Sequence, residues 1–351
     1  METEIAILDE NKIDMSVIER AGSILKSGGL VAFPTETVYG LGGDALNPDS
    51  SRKIYAAKGR PSDNPLIVHI SNMGALEKIV SNVPDNAKRL AAKYWPGPLT
   101  MIFNKTDAVP LETTGGLNTV AVRMPSNKIA RALIDAAGGY IAAPSANLSG
   151  RPSPTVAKYV IEDMNGRIEM ILDGGASDVG LESTIVDFTD KEPMILRPGY
   201  ITQEMLEEAL NERVTWDRAI IDSNSKQPPK APGMKYRHYA PKGELVIVEG
   251  ERKLVIDKIN ECAEADKAAG FSVGIIATEE TINSYKADSV KNVGRKDHEE
   301  ETAHNLFRIL REFDEEKIEK IYSESFAEDG VGVAVMNRLL KAAGHQIIRV
   351  N

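Results

Sequence analysis

Two hydrophobic periods alternate along the first two hundred residues. Val17, Ile18, Ala21, Ile24 and Leu25 recur at helical spacing, and Gly28-Gly29 closes that segment as a C-cap would. Residues 30–33 then form an unbroken apolar run, a buried strand stopped by Pro34. Helical spacing returns over 85–95, which ends at Pro96-Gly97-Pro98, and over 129–137. Strand patterns fall at 66–70, 119–124, 139–143, 170–172, 184–188 and 194–196. This alternation predicts an α/β sheet covered by helices.

The last hundred residues repeat the scheme on a smaller scale. Strands are expected at 244–248, 272–277 and 318–323, and helices near 253–268 and 333–343, the second ended by Gly344. The pattern reads as a small Rossmann-like α/β domain. Its first strand-to-helix turn, Val248-Glu249-Gly250-Glu251-Arg252, lacks a glycine fingerprint, so no dinucleotide is expected there. Between the two parts, residues 211–242 lose periodicity and are rich in Pro and Ser at their centre, which reads as a linker. The expected division is 1–210, 211–242 and 243–351.

Composition narrows the class. The chain has 351 residues, 42% hydrophobic and 27% charged, with 52 acids against 42 Lys plus Arg and a formal net charge of −10. That balance suits a soluble globular protein and argues against coating nucleic acid by bulk charge. Residues 243–351 hold 22 acids and 15 bases, net −7, leaving net −3 for the rest. The acidity thus belongs mostly to the tail. One cysteine, Cys262, excludes an intrachain disulfide and a cysteine zinc cluster. The acidic N-terminus does not read as a signal peptide, and no run approaches a membrane span. A reduced cytoplasmic compartment is expected.

No P-loop, G-x-G-x-x-G, H-E-x-x-H or G-x-S-x-G occurs, so standard nucleotide folds and hydrolases are not signalled. Polar loops at expected strand ends carry the candidate chemistry instead. Residues 33–42 place Thr35, Glu36 and Thr37 directly after a buried strand, followed by glycines read as flexible. The plain alternative is a helix N-cap at Thr35. Lys58-Gly59-Arg60 sets two cations around a glycine, as phosphate binding without a P-loop requires, or marks a solvated helix end. Residues 142–153 combine small residues with Ser145, Asn147 and Ser153 as neutral hydrogen-bonding groups, or form an ordinary turn-rich loop. Arg123 sits inside a strand pattern, where it needs an anion, structural or ligand. His69 inside the apolar run 66–70 reads by itself as a satisfied core residue. In the linker, 231–241 packs Tyr236, His238 and two cations between prolines, which a plain spacer does not need and a lid over an anion does.

Taken in order, Pro34 to Gly42, Lys58-x-Arg60, Asn64-Pro65-Leu66, Trp95-Pro96-Gly97-Pro98-Leu99-Thr100, Val122-Arg123-Met124-Pro125, Pro144-Ser145-Ala146-Asn147, Glu182-Ser183-Thr184 and Leu196-Arg197-Pro198-Gly199 resemble the YrdC-type threonylcarbamoyl-AMP synthase family. The likeness covers about residues 15–200. The run Lys235-Tyr236-Arg237-His238-Tyr239-Ala240-Pro241 and the tail are similar to its longer, two-domain branch. The resemblance implies an open, twisted mixed α/β sheet with a large, positively charged concave cavity. It implies L-threonylcarbamoyladenylate synthesis from L-threonine, bicarbonate and ATP, with Mg²⁺ accompanying ATP and no dedicated protein metal site. A partner transferase then modifies tRNA, with little direct tRNA binding by this chain. Carried over by motif, Lys58 and Arg60 hold ATP phosphates and act catalytically. Thr119, Ser145, Asn147, Ser153, Arg197, Tyr236 and His238 line the nucleotide side. Thr35, His69, Arg123 and Ser183 grip threonine. The rivals are a non-catalytic RNA-binding or translation factor using the same concave face, and a carbamoyltransferase of hydrogenase maturation, whose zinc fingers one cysteine excludes.

Overall fold

Two apolar stripes on opposite sides of one strand show how the larger part of the chain is layered. Val31 and Phe33 pack with Ile18, Leu25, Ile129 and Leu133, whereas Leu30 and Ala32 pack with Leu41, Ile54, Val68 and Leu90. Side chains alternate across a strand, so a continuous apolar run is buried on both faces. The computed structural model describes residues 2–217, 220, 238–327 and 329–351. It divides into two units, Met1–Ser149 with Ser153–Lys235, and Gly150–Pro152 with Tyr236–Asn351.

In chain order the larger unit runs β1 (Glu4–Ile7), α1 (Met15–Lys26), β2 (Val31–Phe33), β3 (Gly40–Asp44), α2 (Pro48–Lys58), β4 (Ile67–His69), α3 (Leu76–Ile79) and α4 (Asp85–Tyr94). It continues with β5 (Leu99–Asn104), β6 (Thr119–Arg123), α5 (Lys128–Ala136), β7 (Ile141–Ala143), α6 (Ala157–Met164) and β8 (Met170–Asp173). Last come β9 (Thr184–Asp187), β10 (Met194–Arg197), α7 (Gln203–Leu210) and β11 (Thr215–Trp216). One mixed sheet orders them β1-β8-β2-β3-β7-β4-β6-β5-β9-β10-β11. The expected open mixed sheet is therefore observed.

Local chemistry sets the helix ends. Asp14 caps α1 by accepting from Ser16 N, Asn47 caps α2 ahead of Pro48, and Asn127 caps α5. Gly59 ends α2 in the left-handed region at φ 62°, which turns the chain immediately after Lys58.

Residues 40–44 depart from expectation. The glycines there are not a flexible loop but β3, antiparallel to both β2 and β7. A Cβ on Gly42 would stand 2.8 Å from Ile141 Cγ2 and 3.0 Å from Phe33 Cε1, so close packing explains the glycine. No helix follows Thr35 directly, so the N-cap alternative is also set aside. The start of the expected linker holds β11, whose Thr215 and Trp216 pair with Met194 and Ile195 of β10.

The smaller unit contains β12 (Glu244–Gly250), α8 (Arg252–Ala268), β13 (Val273–Ala277), β14 (Ser289–Asn292), α9 (Glu299–Glu315), β15 (Lys320–Glu324), α10 (Gly332–Ala342) and β16 (Ile347–Val350). Its sheet is wholly parallel in the order β14-β13-β15-β12-β16. That is an α/β winding, but β15 separates β13 from β12, unlike the 3-2-1-4 dinucleotide order. Within this unit, fully buried Arg311 donates through Nε and Nη2 to Pro152 O at 3.0 and 2.7 Å, and Arg151 pairs with Asp314 at 3.3 Å. Among the described residues, no helix is long and apolar enough to cross a membrane.

Gly199 supplies a test of the larger unit's packing. A Cβ there would lie 2.4 Å from Thr184 N and 2.7 Å from Thr184 Oγ1. Gly199→Ala is expected to lower stability by about 1–3 kcal/mol, as overpacking against backbone does, measured by urea denaturation. An unchanged denaturation midpoint would contradict this contact.

Candidate functional site

The register of β4 separates the candidate residues into two sets. β4 is antiparallel to β7, with Ile67 opposite Ala143 and His69 opposite Ile141. It is parallel to β6, with Ile67 opposite Ala121 and His69 opposite Arg123. One sheet edge therefore gathers the start of β6 with Thr119 and the loop after β7 with Ser145 and Asn147. The opposite edge gathers His69 and Arg123. On β6, Thr119 and Arg123 stand four residues apart, roughly 13 Å at the usual rise.

Lys58 organises the first set. Its side chain is 2% exposed, not the solvated helix end of the plain reading. Nζ donates to the backbone carbonyls of Ser145 and Asn147, and Ser149 N donates to Lys58 O at 2.9 Å. A buried ammonium needs such acceptors, and here they come from the small-residue loop itself. Arg60, half-buried, donates Nε to Asn64 O at 3.3 Å and Nη2 to Pro65 O at 3.2 Å. Asn147 donates Nδ2 to Leu148 O, and Ala146 N donates to Tyr39 O. Lys58, Ser145 and Asn147 are thus brought together. Thr119 lies at the same edge, where it pairs with Asn104 of β5.

Arg123 organises the second set. It is 4% exposed, and its anion is Glu36, 5% exposed, with Nη2 and Oε1 2.7 Å apart. Nη1 donates to Thr37 Oγ1 at 2.8 Å and Nε to Gly97 O at 3.4 Å. The sequence flagged the Arg123 cation but left its partner open; Glu36 becomes visible only in the folded chain. Thr35 takes part locally: Oγ1 donates to Val38 O at 2.6 Å and accepts from Thr37 N and Val38 N. Val179 N and Gly180 N donate to the carbonyls of Glu36 and Thr37, laying the loop after β8 along the loop after β2.

Ser183 and Arg197 form one buried group with Thr100. The Thr100 and Ser183 hydroxyls are 2.7 Å apart, and Arg197 donates Nε to Ser183 O at 3.0 Å and Nη2 to Ser183 Oγ at 3.2 Å. Arg197 was expected on the nucleotide side. The structure ties it to Ser183, because β10 returns antiparallel to β9 and puts Arg197 opposite Ile185. Ser153, expected with the same set, donates to Glu182 Oε1 at 2.6 Å, next to Ser183. Glu182 was not singled out for a role. Tyr236 lies outside the described residues. His238 belongs to the smaller unit, where its ring centroid is 5.5 Å from that of Tyr239.

His69 is buried at 4% exposure. Nδ1 is 3.1 Å from Ile67 O and the ring stands edge-on to Phe33. Burial first, and the Arg123 charge second, push its pKa down to about 3. The imidazole is neutral at physiological pH and cannot hold an anion by charge; it can only offer neutral hydrogen bonding. Among the described residues, no three of His, Cys, Asp and Glu gather as a metal site would require.

A family profile described as "Telomere recombination", for the Sua5, YciO and YrdC group, matches residues 23–199. A second, described as "Threonylcarbamoyl-AMP synthase, C-terminal domain", matches 201–344. The chain is 47% identical over 346 residues to threonylcarbamoyl-AMP synthase of Bacillus subtilis, covering 98% of each chain. It is 47% identical over 347 residues to the Pyrococcus abyssi protein of the same name, covering 99% of each. The crystal structure of P. abyssi Sua5 complexed with L-threonine aligns at TM-score 0.93 and 46% identity, over 99% of this chain and all of that one.

His69 makes stability pH-dependent in a stated direction. An unfolded histidine titrates near 6.5, and the folded one only near 3. Between these values the unfolded chain binds the extra proton, so this stability term is intact above about pH 6.5 and lost as pH falls toward 3. From pH 6.5 to 5.0 the loss is about 2 kcal/mol for one such group. His69→Gln removes that part of the slope, read by urea denaturation at pH 7.5 and 5.0. Equal slopes in variant and wild type would refute a buried neutral His69.

Proposed function

The chain belongs to the two-domain threonylcarbamoyl-AMP synthase family, and we propose that it condenses L-threonine, bicarbonate and ATP into L-threonylcarbamoyl-AMP, pyrophosphate and water. The observation that carries this reading is the buried arginine site at one end of β4, set against the Lys58-bracketed loop at the other. The relative that superposes along the whole chain holds L-threonine. Two anionic reactants, a carbamate and a nucleotide, need cations on two sides of a short span.

The reaction needs no side-chain nucleophile. Bicarbonate takes up a proton and loses water to give CO₂, the deprotonated threonine amine captures it as a carbamate and releases a proton, a carbamate oxygen attacks the α-phosphorus of ATP, and pyrophosphate leaves. The protein's work is orientation, charge compensation and exclusion of water. Arg123 suits the threonine carboxylate through the planar fork of its guanidinium. Ser183 and Thr100 offer hydroxyls to the same substrate, and Thr35 and neutral His69 complete the pocket. Lys58 holds the loop carrying Ser145 and Asn147 in shape and adds positive charge near the phosphates. Arg60, the more exposed cation, reaches toward them. Thr119 and Ser153 support the nucleotide side, while Arg197 acts through Ser183. Tyr236 and His238 are carried over by motif to the nucleotide. ATP enters as its Mg²⁺ complex. The metal would come with the ATP phosphates and would supply charge compensation for the departing pyrophosphate.

The product is consumed by a transferase that passes the threonylcarbamoyl group to an adenosine of tRNA. The net charge of −10 and the acidic tail suit an enzyme that leaves most tRNA contact to that partner. The reaction is placed in the cytoplasm, where tRNA, ATP and threonine meet.

The test is threonine- and bicarbonate-dependent exchange of labelled pyrophosphate into ATP, with the adenylate identified by mass. Arg123→Ala is expected to lower the exchange rate about 30- to 1,000-fold, equivalent to about 2–4 kcal/mol lost from a desolvated charge contact. Exchange near the wild-type rate in that variant would overturn the assignment.

A further inference from the structure

Arg123 and Glu36 are in electrostatic contact without being hydrogen-bonded. Nη2 and Oε1 lie 2.7 Å apart. Yet neither that nitrogen nor either oxygen of the Glu36 carboxylate has a hydrogen-bond partner among the described residues. The other guanidinium nitrogens are used, by Thr37 and Gly97. A buried carboxylate ordinarily accepts two or more hydrogen bonds. Leaving its lone pairs unmet costs about 1–3 kcal/mol or more for a charged group. A deficit of this kind, next to a cation with an unused donor, points to a ligand carrying both a donor and an acceptor.

We propose that Glu36 and Arg123 act as a two-pole clamp for a zwitterionic α-amino acid, Arg123 taking its carboxylate and Glu36 its α-ammonium group. The clamp rests on the threonine reading above and extends it to the amino group. A free α-amino acid carries opposite charges on neighbouring carbons. Its complement is a pair of opposite charges side by side, as Arg123 and Glu36 are here. The ammonium brings three donors to a carboxylate that has none, and the ligand carboxylate brings an acceptor to Nη2. Charges cancel pairwise, so burying the ligand leaves no net charge in a low-dielectric site. Entry parts the two side chains, replacing one misaligned contact with two aligned ones. Ligands lacking either group leave one pole buried and uncompensated, so the clamp also sets specificity for a free amine and a free carboxylate.

The experiment measures calorimetric affinities of the full-length protein for three ligands. These are L-threonine, 3-hydroxybutyrate (no amine) and threoninol (no carboxylate). Wild-type protein is expected to bind threonine at least about tenfold more tightly than either analogue. Glu36→Gln is expected to weaken threonine and threoninol about tenfold or more while leaving 3-hydroxybutyrate within about twofold. Glu36→Asp keeps the charge and is expected to preserve the preference for threonine over 3-hydroxybutyrate. An equal loss of threonine and 3-hydroxybutyrate in Glu36→Gln would show that Glu36 only holds Arg123 in place, overturning the clamp. Should Glu36→Gln fail to fold, equal wild-type affinity for threonine and 3-hydroxybutyrate overturns it as well. Folded wild-type protein that binds no threonine at all would instead overturn the threonine reading, and the clamp with it.

Discussion

A guanidinium and a carboxylate buried 2.7 Å apart constrain much of the larger unit. Removing either ion from water costs several kcal/mol, and only the opposite charge beside it makes the burial tolerable. Arg123 stands at the end of β6 and Glu36 in the loop after β2, so the strands bearing them must be held in fixed register. The sheet supplies that through β3, β7 and β4, which lie between them. Once the loop at 34–39 is held, its carbonyls are presented to Val179 N and Gly180 N. The loop after β8 is laid down in turn, bringing Glu182 to Ser153 and Ser183 to Arg197.

Lys58 performs a comparable task with different chemistry. Its ammonium donates to the neutral carbonyls of Ser145 and Asn147, which ties it to the loop after β7. Arg123 is neutralised by Glu36 until another anion competes for it. Neutral His69 beside Arg123 avoids a second like charge in the same buried space. Charge in this protein is thus concentrated by placement, not by count: the chain is acidic overall.

Strands buried on both faces were the most legible elements. Residues 30–33 read as a strand from an unbroken apolar run and 119–124 from alternation, and β2 and β6 occupy them within a residue. β3 was not legible. Its sequence, Gly-Leu-Gly-Gly-Asp, has no strand propensity, and its state follows from pairing with β2 and β7 and from the space left by Phe33 and Ile141. Helix α2 shows in the sequence only as a solvated helix end at Lys58, because Ser50, Ser51 and Lys58 occupy part of its buried face. Helix α9 opens on Glu299, Glu300 and Glu301, which mask a pattern whose Leu306, Leu310 and Phe313 are buried. Thr215 and Trp216 lay in a stretch whose composition suggested only a spacer.

The sequence by itself determined which chemistry the chain carries: an arginine in a strand, two cations around Gly59, and hydroxyl and amide loops at strand ends. These are properties of residue type and short spacing, which local pattern records. Only the tertiary structure decided the partners: Glu36 for Arg123, loop carbonyls for Lys58, Ser183 for Arg197, Glu182 for Ser153. The reason is physical. Each pairing joins separate segments through sheet register, and moving a strand by one residue turns its side chains to the other face. Local sequence can place a charge at a strand end, but the counter-charge it meets depends on which strands become neighbours.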